Sequence, residues 1–589
     1  MKRKLNFSTT KTSFKKRKIT ERKKPFWVNA TDTKNFILKD YIVDVFKINR
    51  KKKSENNFTN IFFEKGKEFE KNILEFLKEK FKSMEITEVS DKITRYSCEK
   101  TISLMKKGVP VIYSAPFKSL KFKTKGIIDL LVRSDFLHFL TGENLLSETE
   151  KVKPARKIGA GNYHYTVIDI KFSTLNLLSD NKSLSNSGLF GCYKSQTWIY
   201  TQAIGNLQGY TSNFAFILGR RNSYKKDGEK IQSFNSLNKL GVIDFSKKDK
   251  IWVKTTENAI KWLKKVYDEG EKWNYVPPSN SFLYPNMKID SGIWNDKKRE
   301  IAEKIDEITL IWNCSVKQRE RAFKNGVFSW RDERCNSQTL GLKGKRGVLV
   351  DNILKVNREE KMFFLPDKIS VNTFDWREEK PDEIFVDFET FLDIFSDKKD
   401  ITNQDKTDRV FVIGVYLNNE YKSFFCKNNS DAEEKRILNE FLELAKGKKI
   451  WHWYADEKIW NRCKNKYGIT EILNFSDLSK VFLEGGIAIK DCFSLKLKEI
   501  AKAMRNHDFI SANLEKEKVS SGLEAAVKSW NIYSENTEID SEKIKDILRY
   551  NEFDVKVLKE ILNYLRNRET GSNKVPNTFS VIAPIITTF

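Results

Sequence analysis

Glu383-Ile384-Phe385-Val386-Asp387-Phe388-Glu389-Thr390 is an apolar run that ends in two acids separated by one residue. Alternate side chains of an extended strand share a face, so Asp387 and Glu389 project together from the end of this segment. Far downstream, Tyr550-Asn551-Glu552-Phe553-Asp554 falls in a helix expected over 542–566, where positions i and i+4 set a phenol beside a carboxylate. Tyr-x-x-x-Asp is common on helices, and it gains meaning only from the strand-borne Asp-x-Glu upstream. Together these residues suit two metal ions about 3.5–4 Å apart, with Tyr550 placed to orient an attacking water.

A second acidic set lies about 200 residues closer to the N-terminus. Lys125-Gly126-Ile127-Ile128-Asp129-Leu130-Leu131-Val132 reads as a strand whose one acid is costly to bury without a metal or a cationic partner. Tyr165-Thr166-Val167-Ile168-Asp169-Ile170-Lys171 repeats the arrangement and puts Lys171 on the face of Asp169. Asp169 is then a candidate cation ligand, and Lys171 a group that orients water or stabilises charge on a phosphate. Glu70, on a helix opening at Gly66-Lys67-Glu68-Phe69-Glu70, offers a third carboxylate, and Gln196 and Tyr200 share a face of a helix near 193–206. Each residue alone is weak; the ordered set is rarer.

The order Glu70, Gly126-x-x-Asp129, Asp169-x-Lys171, Gln196-x-x-x-Tyr200 resembles the RecB-type branch of the PD-(D/E)XK nucleases over roughly residues 60–220. The resemblance implies a restriction-endonuclease-like mixed sheet with flanking helices and magnesium- or manganese-dependent DNA hydrolysis, with Asp129 and Asp169 as metal ligands. Several RecB-like exonucleases carry an iron–sulfur cluster on four cysteines; here Cys98 and Cys192 stand alone and no Cys-x-x-Cys occurs, so no cluster is expected. The C-terminal set resembles the RNase H-like DEDD exonucleases of the tyrosine-containing type. That resemblance implies 3′-to-5′ removal of nucleotides, with Asp387, Glu389 and Asp554 on metal. It also calls for a further acid after a strand and at the start of a helix. Ile450-Trp451-His452-Trp453-Tyr454-Ala455-Asp456-Glu457-Lys458 offers two, and Glu457 is preferred to Asp456 because in related proteins the acid stands five residues after the histidine. With Ser494-Leu495-Lys496 and Ser521-Gly522-Leu523-Glu524, the likeness to predicted RecB-like nucleases fused to an RNase H-like domain spans about residues 25–570.

Outside the motifs, 589 residues imply several α/β units at about 100–200 residues each. We expect a basic disordered tail at 1–24, a RecB-like domain at 25–275, a small helical connector at 293–345 and an RNase H-like domain at 380–570. The net charge is +27, and the tail, with eleven Lys/Arg against the single acid Glu21, supplies +10 of it. The remaining excess suits a polyanionic partner. Lys15-Lys16-Arg17-Lys18 reads equally as a solvated tail or as a nuclear-targeting or DNA-tethering segment. No apolar run reaches the ~18 residues of a membrane span, and seven unpaired-looking cysteines fit an intracellular protein of the nucleus, cytoplasm or nucleoid.

Four scattered histidines disfavour a zinc site or a Ser-His-Asp hydrolase, and His452 reads as a packing residue. Gly341-Leu342-Lys343-Gly344-Lys345-Arg346-Gly347 lacks the ending of a phosphate-binding loop, so strand separation would need a helicase or another replication or repair partner. Trp312, Trp330, Lys317, Arg319 and Arg321 of the connector offer stacking and charge for single-stranded DNA, or else form a spacer with buried tryptophans. Arg220-Arg221 is a phosphate clamp or a solvated turn. The expectation is a nuclease acting on single-stranded DNA or duplex ends in repair, recombination or replication. An inactive DNA-binding scaffold and an RNA-processing exonuclease remain as alternatives.

Overall fold

The apolar segments that carry the two acid sets fold into two separate mixed sheets. The computed structural model describes residues 25–48, 57–82, 85–391, 400–403, 408–512, 521–534 and 538–570; the basic tail and the polar segment 51–56 lie outside these described residues. The first sheet has eight strands, and its main path runs Ile86–Glu88, Val111–Ser119, Thr124–Arg133, Tyr165–Asn176, Phe214–Lys226, Glu229–Ser233. Val28–Asn29 adds to Thr124–Arg133 and Leu240–Asp244 to Phe214–Lys226.

This sheet is covered on both faces. Helix Phe190–Gln208 packs Trp198, Ile199 and Ile204 against Ile128, Leu131 and Val167. Helix Asn57–Lys80 brings Phe69, Ile73 and Leu77 to Leu130, Val132 and Ile168 on the other side. The expected opening of that helix at Gly66 is corrected: the helix runs through Gly66, which costs about 1 kcal/mol relative to alanine and is outweighed by the packed face that follows. Strand Phe214–Lys226 runs long because it is paired on both edges. Arg220 and Arg221 therefore lie within a strand, nearly buried, over Phe172 and Phe234, and do not form a solvated turn.

The second sheet has the order Glu420–Phe425, Arg409–Leu417, Ile384–Phe391, Lys449–His452, Asn474–Asp477. Its first two pairings are antiparallel and its last two parallel. The period of two sorts the central strand: Ile384, Val386 and Phe388 pack against Ile437, Phe441 and Trp460. Phe385 joins the opposite layer, where helix Lys545–Glu569 contributes Val555, Leu558 and Leu562. Asp387 and Glu389 share the parity of Phe385, so both acids face that helix.

The helical segment between the sheets is not a free-standing spacer. Ile308, Ile311, Trp330, Leu349 and Ile353 belong to the same hydrophobic cluster as Trp451, Phe482 and Leu558. Buried ion pairs tie it back to the first unit: Lys298 Nζ lies 2.6 Å from Asp40 Oδ2, with both side chains at most 1% exposed. Arg319 Nη1 lies 2.9 Å from Glu307 and also donates to the carbonyls of Tyr284 and Pro285, so it is committed to the interior. Ile401, from the segment after the Asp387 strand, is fully buried in the first sheet's cluster, and its carbonyl accepts from Ser236 N–H at 2.9 Å. Among the described residues no helix is long and apolar enough to cross a membrane.

Removing one member of a buried ion pair strands the other charge. Lys298→Met is expected to lower folding stability by about 3–5 kcal/mol in denaturant unfolding, and Asp40→Asn added to it should recover part of that loss.

Candidate active sites

The C-terminal acids converge. Asp387, Glu389 and Asp554 each offer a carboxylate oxygen within 4.8 Å of the others, the one such group of three among the described residues. Strand Ile384–Phe391 presents the first two, and helix Lys545–Glu569 presents Asp554 with Tyr550 one turn earlier. Asn551, fully buried on the same helix, fixes the register: its Nδ2 donates to Asp387 Oδ2 at 2.8 Å and to the Asp387 carbonyl at 3.1 Å. The Tyr421 hydroxyl donates to Asn551 Oδ1 at 3.0 Å. A Cβ at Gly414 would overlap Asn551 Oδ1, so the neighbouring strand carries glycine where the amide crosses it.

Burial and mutual repulsion dominate the electrostatics. Burial, then Glu389 and Asp554, push the Asp387 carboxyl well above the usual range. Glu389 is pushed up to about 8 by burial and Asp554. Burial raises Asp554 to about 6, against the pull of Lys498. Lys498 Nζ stands 3.4 Å from Asp554 Oδ2 and 3.3 Å from the centre of the Tyr550 ring. It partly neutralises three acids. Tyr550, buried beside them, is held as a neutral phenol because burial and then Asp554 and Glu389 raise its pKa. Asp554 Oδ1 is buried without a hydrogen-bond donor, so the cluster has unused acceptor capacity of the kind a divalent cation takes up.

The two candidates for the fourth acid separate. Asp456 is buried, accepts from Phe388 N–H at 3.2 Å and adds its charge to Asp387, Glu389 and Asp554. Glu457, preferred on spacing, lies about 100° around the helix Asp456–Tyr467 and lines a different cavity with Trp312 and Lys480. His452 is buried, packed edge-on to Phe475 with Nδ1 3.6 Å from Asp456. Asn551 and Lys498 were missed as site residues. Asn551 lies inside the motif already quoted; Lys498 has no signal beyond standing two residues after Ser494-Leu495-Lys496.

The N-terminal set also meets, more loosely. Asp129 Oδ2 accepts from Ile170 N–H at 2.6 Å, which locks it to the strand of Asp169. Lys171 Nζ lies 2.7 Å from Asp169 Oδ2, and Gln196 Nε2 donates to Asp169 Oδ1 at 3.1 Å and to the Tyr200 hydroxyl at 2.8 Å. A Cβ at Gly126 would come within 2.8 Å of the Tyr200 ring, which accounts for glycine three residues before Asp129. Burial raises the Asp129 carboxyl, followed by Asp169, and raises Glu70, where Lys171 opposes and Asp169 adds. Burial works against the Lys171 charge, but Asp169 and Asp129 outweigh it and keep the ammonium protonated. Burial and then Asp169 raise the Tyr200 hydroxyl. Glu70, Asp129 and Asp169 do not reach the mutual spacing of the C-terminal three, and the Lys171 ammonium pairs with Asp169.

A family model, RNase_H_2 of the RNase H superfamily, matches residues 384–566, a span that contains the C-terminal cluster and its supporting residues. No curated protein matches the chain. The superfamily match suggests a nuclease-type function, and in general a metal-dependent hydrolase, for this unit.

A carboxyl whose pKa is higher in the folded protein than in the unfolded chain favours folding when protonated. Its contribution is present at low pH and lost as pH rises through the raised values, here from about 6 for Asp554 to about 8 for Glu389. Metal-free protein is therefore expected to lose thermal stability across this window, and Mn²⁺ or Mg²⁺, which needs the ionised forms, to restore it. Asp387→Asn should raise the metal-free melting temperature at pH 8 and remove the gain from metal. Gly414→Ala should displace Asn551 and weaken metal affinity roughly 10–100-fold in calorimetric titration.

Proposed function

We propose that the chain is a metal-dependent nuclease with two hydrolytic centres, a RecB-like PD-(D/E)XK site at residues 25–275 and a DEDD-type exonuclease site at 380–570. The observation that carries the reading is the convergence of Asp387, Glu389 and Asp554 within the span matched by the RNase H superfamily model. Asp387, Glu389, Asp554 and Asp456 would hold magnesium or manganese in the second site, and Asp129 and Asp169 would do so in the first. Bound there, the ions supply Lewis acidity and a lowered pKa for water.

The chain's own groups do the rest. Tyr550, kept neutral, orients the attacking water through its hydroxyl. Lys498 balances the acid charge before metal arrives. In the first site Lys171, fixed at 2.7 Å from Asp169, stabilises negative charge developing on the phosphate. Gln196 holds Asp169 in place through its amide. The substrate proposed is DNA, as single strands or duplex ends, in repair, recombination or replication, with strand separation left to a helicase partner. The excess positive charge of the chain supports a polyanionic ligand.

End-labelled single- and double-stranded DNA and RNA, incubated with Mg²⁺ or Mn²⁺, test this reading. Asp169→Ala and Asp387→Asn should each remove one class of product, and the double variant should cleave nothing while still binding DNA. Cleavage unchanged in the double variant would refute both site assignments. A wild-type chain that binds but never cuts would leave a DNA-binding scaffold, and cleavage confined to RNA would make it an RNA-processing exonuclease.

A further inference from the structure

A cavity of about 750 Å³ lies between the helical segment and the RNase H-like unit, within the size range of small-ligand sites. Trp312, Tyr454 and Phe493 line it with aromatic faces, and Lys288, Arg299 and Lys496 with positive charge. None of these three cations has a carboxylate within 4.0 Å among the described residues. Lys288 Nζ donates only to the Ile311 carbonyl, at 2.9 Å. The protein packed around that ammonium pulls its pKa down, and Lys496 adds to the effect.

Two of the acids on the cavity wall are already engaged: Asp306 by Arg331 at 2.9 Å and Asp491 by His507 at 3.1 Å. Glu303 and Glu499 stand exposed and form no ion pair with the three cations. Trp330, 4% exposed and packed on Phe493, also lines the cavity, and its indole N–H has no acceptor. Unpaired cations beside aromatic faces and an unspent buried donor match a ligand that joins phosphate to a flat, acceptor-bearing ring.

The position relative to the acids is specific. Tyr454, exposed and at φ +64°, stands two residues before Asp456 in the same turn. Lys496 stands two residues before Lys498, whose ammonium faces Asp554. A second cavity of about 260 Å³ shares Trp312, Tyr454 and Leu495 with the first and adds Lys458 and Lys480 beside the acids Glu457 and Asp477. The two cavities adjoin along Trp312, Tyr454 and Leu495, and their walls at Tyr454 and Lys496 lie two residues in sequence from Asp456 and Lys498.

We infer that this aromatic and basic track binds a single strand of nucleic acid and leads it to the acids at Asp387, Glu389 and Asp554. The inference rests on the nuclease reading for the class of ligand. Bases stack on Trp312, Tyr454 and Phe493, and phosphates meet Lys288, Arg299 and Lys496. Arg319, expected from sequence to share this task, is spent on Glu307.

The test uses the full chain carrying Asp169→Ala and Asp387→Asn, with chelator present so that nothing is cut. A fluorescein-labelled twelve-nucleotide oligothymidylate, in DNA and RNA forms, is followed by anisotropy, with thymidine monophosphate as competitor. Trp312→Ala and Lys496→Glu should each weaken binding about 10-fold or more. Lys496 is exposed, so its variant should keep the parent's melting temperature and remain informative if Trp312→Ala unfolds. Parental affinity in a folded Lys496→Glu, or competition by the mononucleotide as strong as by unlabelled oligonucleotide, would overturn the inference. In the cleavage-competent chain the same substitutions should raise KM for long strands and leave the Mn²⁺-dependent melting shift intact. Cleavage that ignores both substitutions would sink the track alone, whereas weakened binding in a chain that never cuts would sink the nuclease reading alone.

Discussion

Two carboxylates on a buried strand and a third on the helix packed over it repel one another, and the architecture of the C-terminal unit answers that repulsion. Burial strengthens every interaction among Asp387, Glu389 and Asp554 by lowering the local dielectric, so their protons are held tightly in the absence of a cation. Lys498 offsets part of the charge, and Asn551 spends its amide N–H groups on Asp387. A cluster so arranged is poorly matched to the metal-free state. Its carboxylate oxygens lie close enough together to hold a metal ion, which would relieve the repulsion.

Around this centre, the elements that fix the acids are also those that join the chain into one body. Helix Lys545–Glu569 carries Tyr550, Asn551 and Asp554 on one turn-to-turn face and supplies Leu558, Ile561 and Leu562 to the large cluster that includes Trp330 and Leu349 of the helical segment. Ile401, shortly after the Asp387 strand, is buried in the other sheet's core, and Ile61, upstream of Glu70 on its helix, packs on Ala526 and Val527 near Tyr550. The two acid sets thus share structural neighbours through packed apolar contacts.

Much of this was legible in the chain. The parity of Asp387 and Glu389, the i, i+4 pairing of Tyr550 with Asp554, and the strand positions of Asp129 and Asp169 follow from fixed periodicities, and those need no partner to be read. Strands Thr124–Arg133 and Tyr165–Asn176 cover the segments read as strands around Asp129 and Asp169. Helix Lys250–Glu269 went unread because its polar majority hides Ala259, Trp262, Leu263 and Val266, and the helix of Glu70 was opened at Gly66 although it begins at Asn57.

Sequence by itself determined which residues carry charge, how they alternate along a strand and which pairs share a helix face, because backbone geometry alone sets those relations. Tertiary structure decided the rest. Asp456 and Glu457 are neighbours of equal chemistry in the chain, and only the packing of their helix on the Asp387 strand turns one toward the acids and the other toward Trp312. Lys498 and Lys496 differ in the same way: one faces a carboxylate and the other an unfilled cavity, because contacts between distant segments, not spacing, choose each partner.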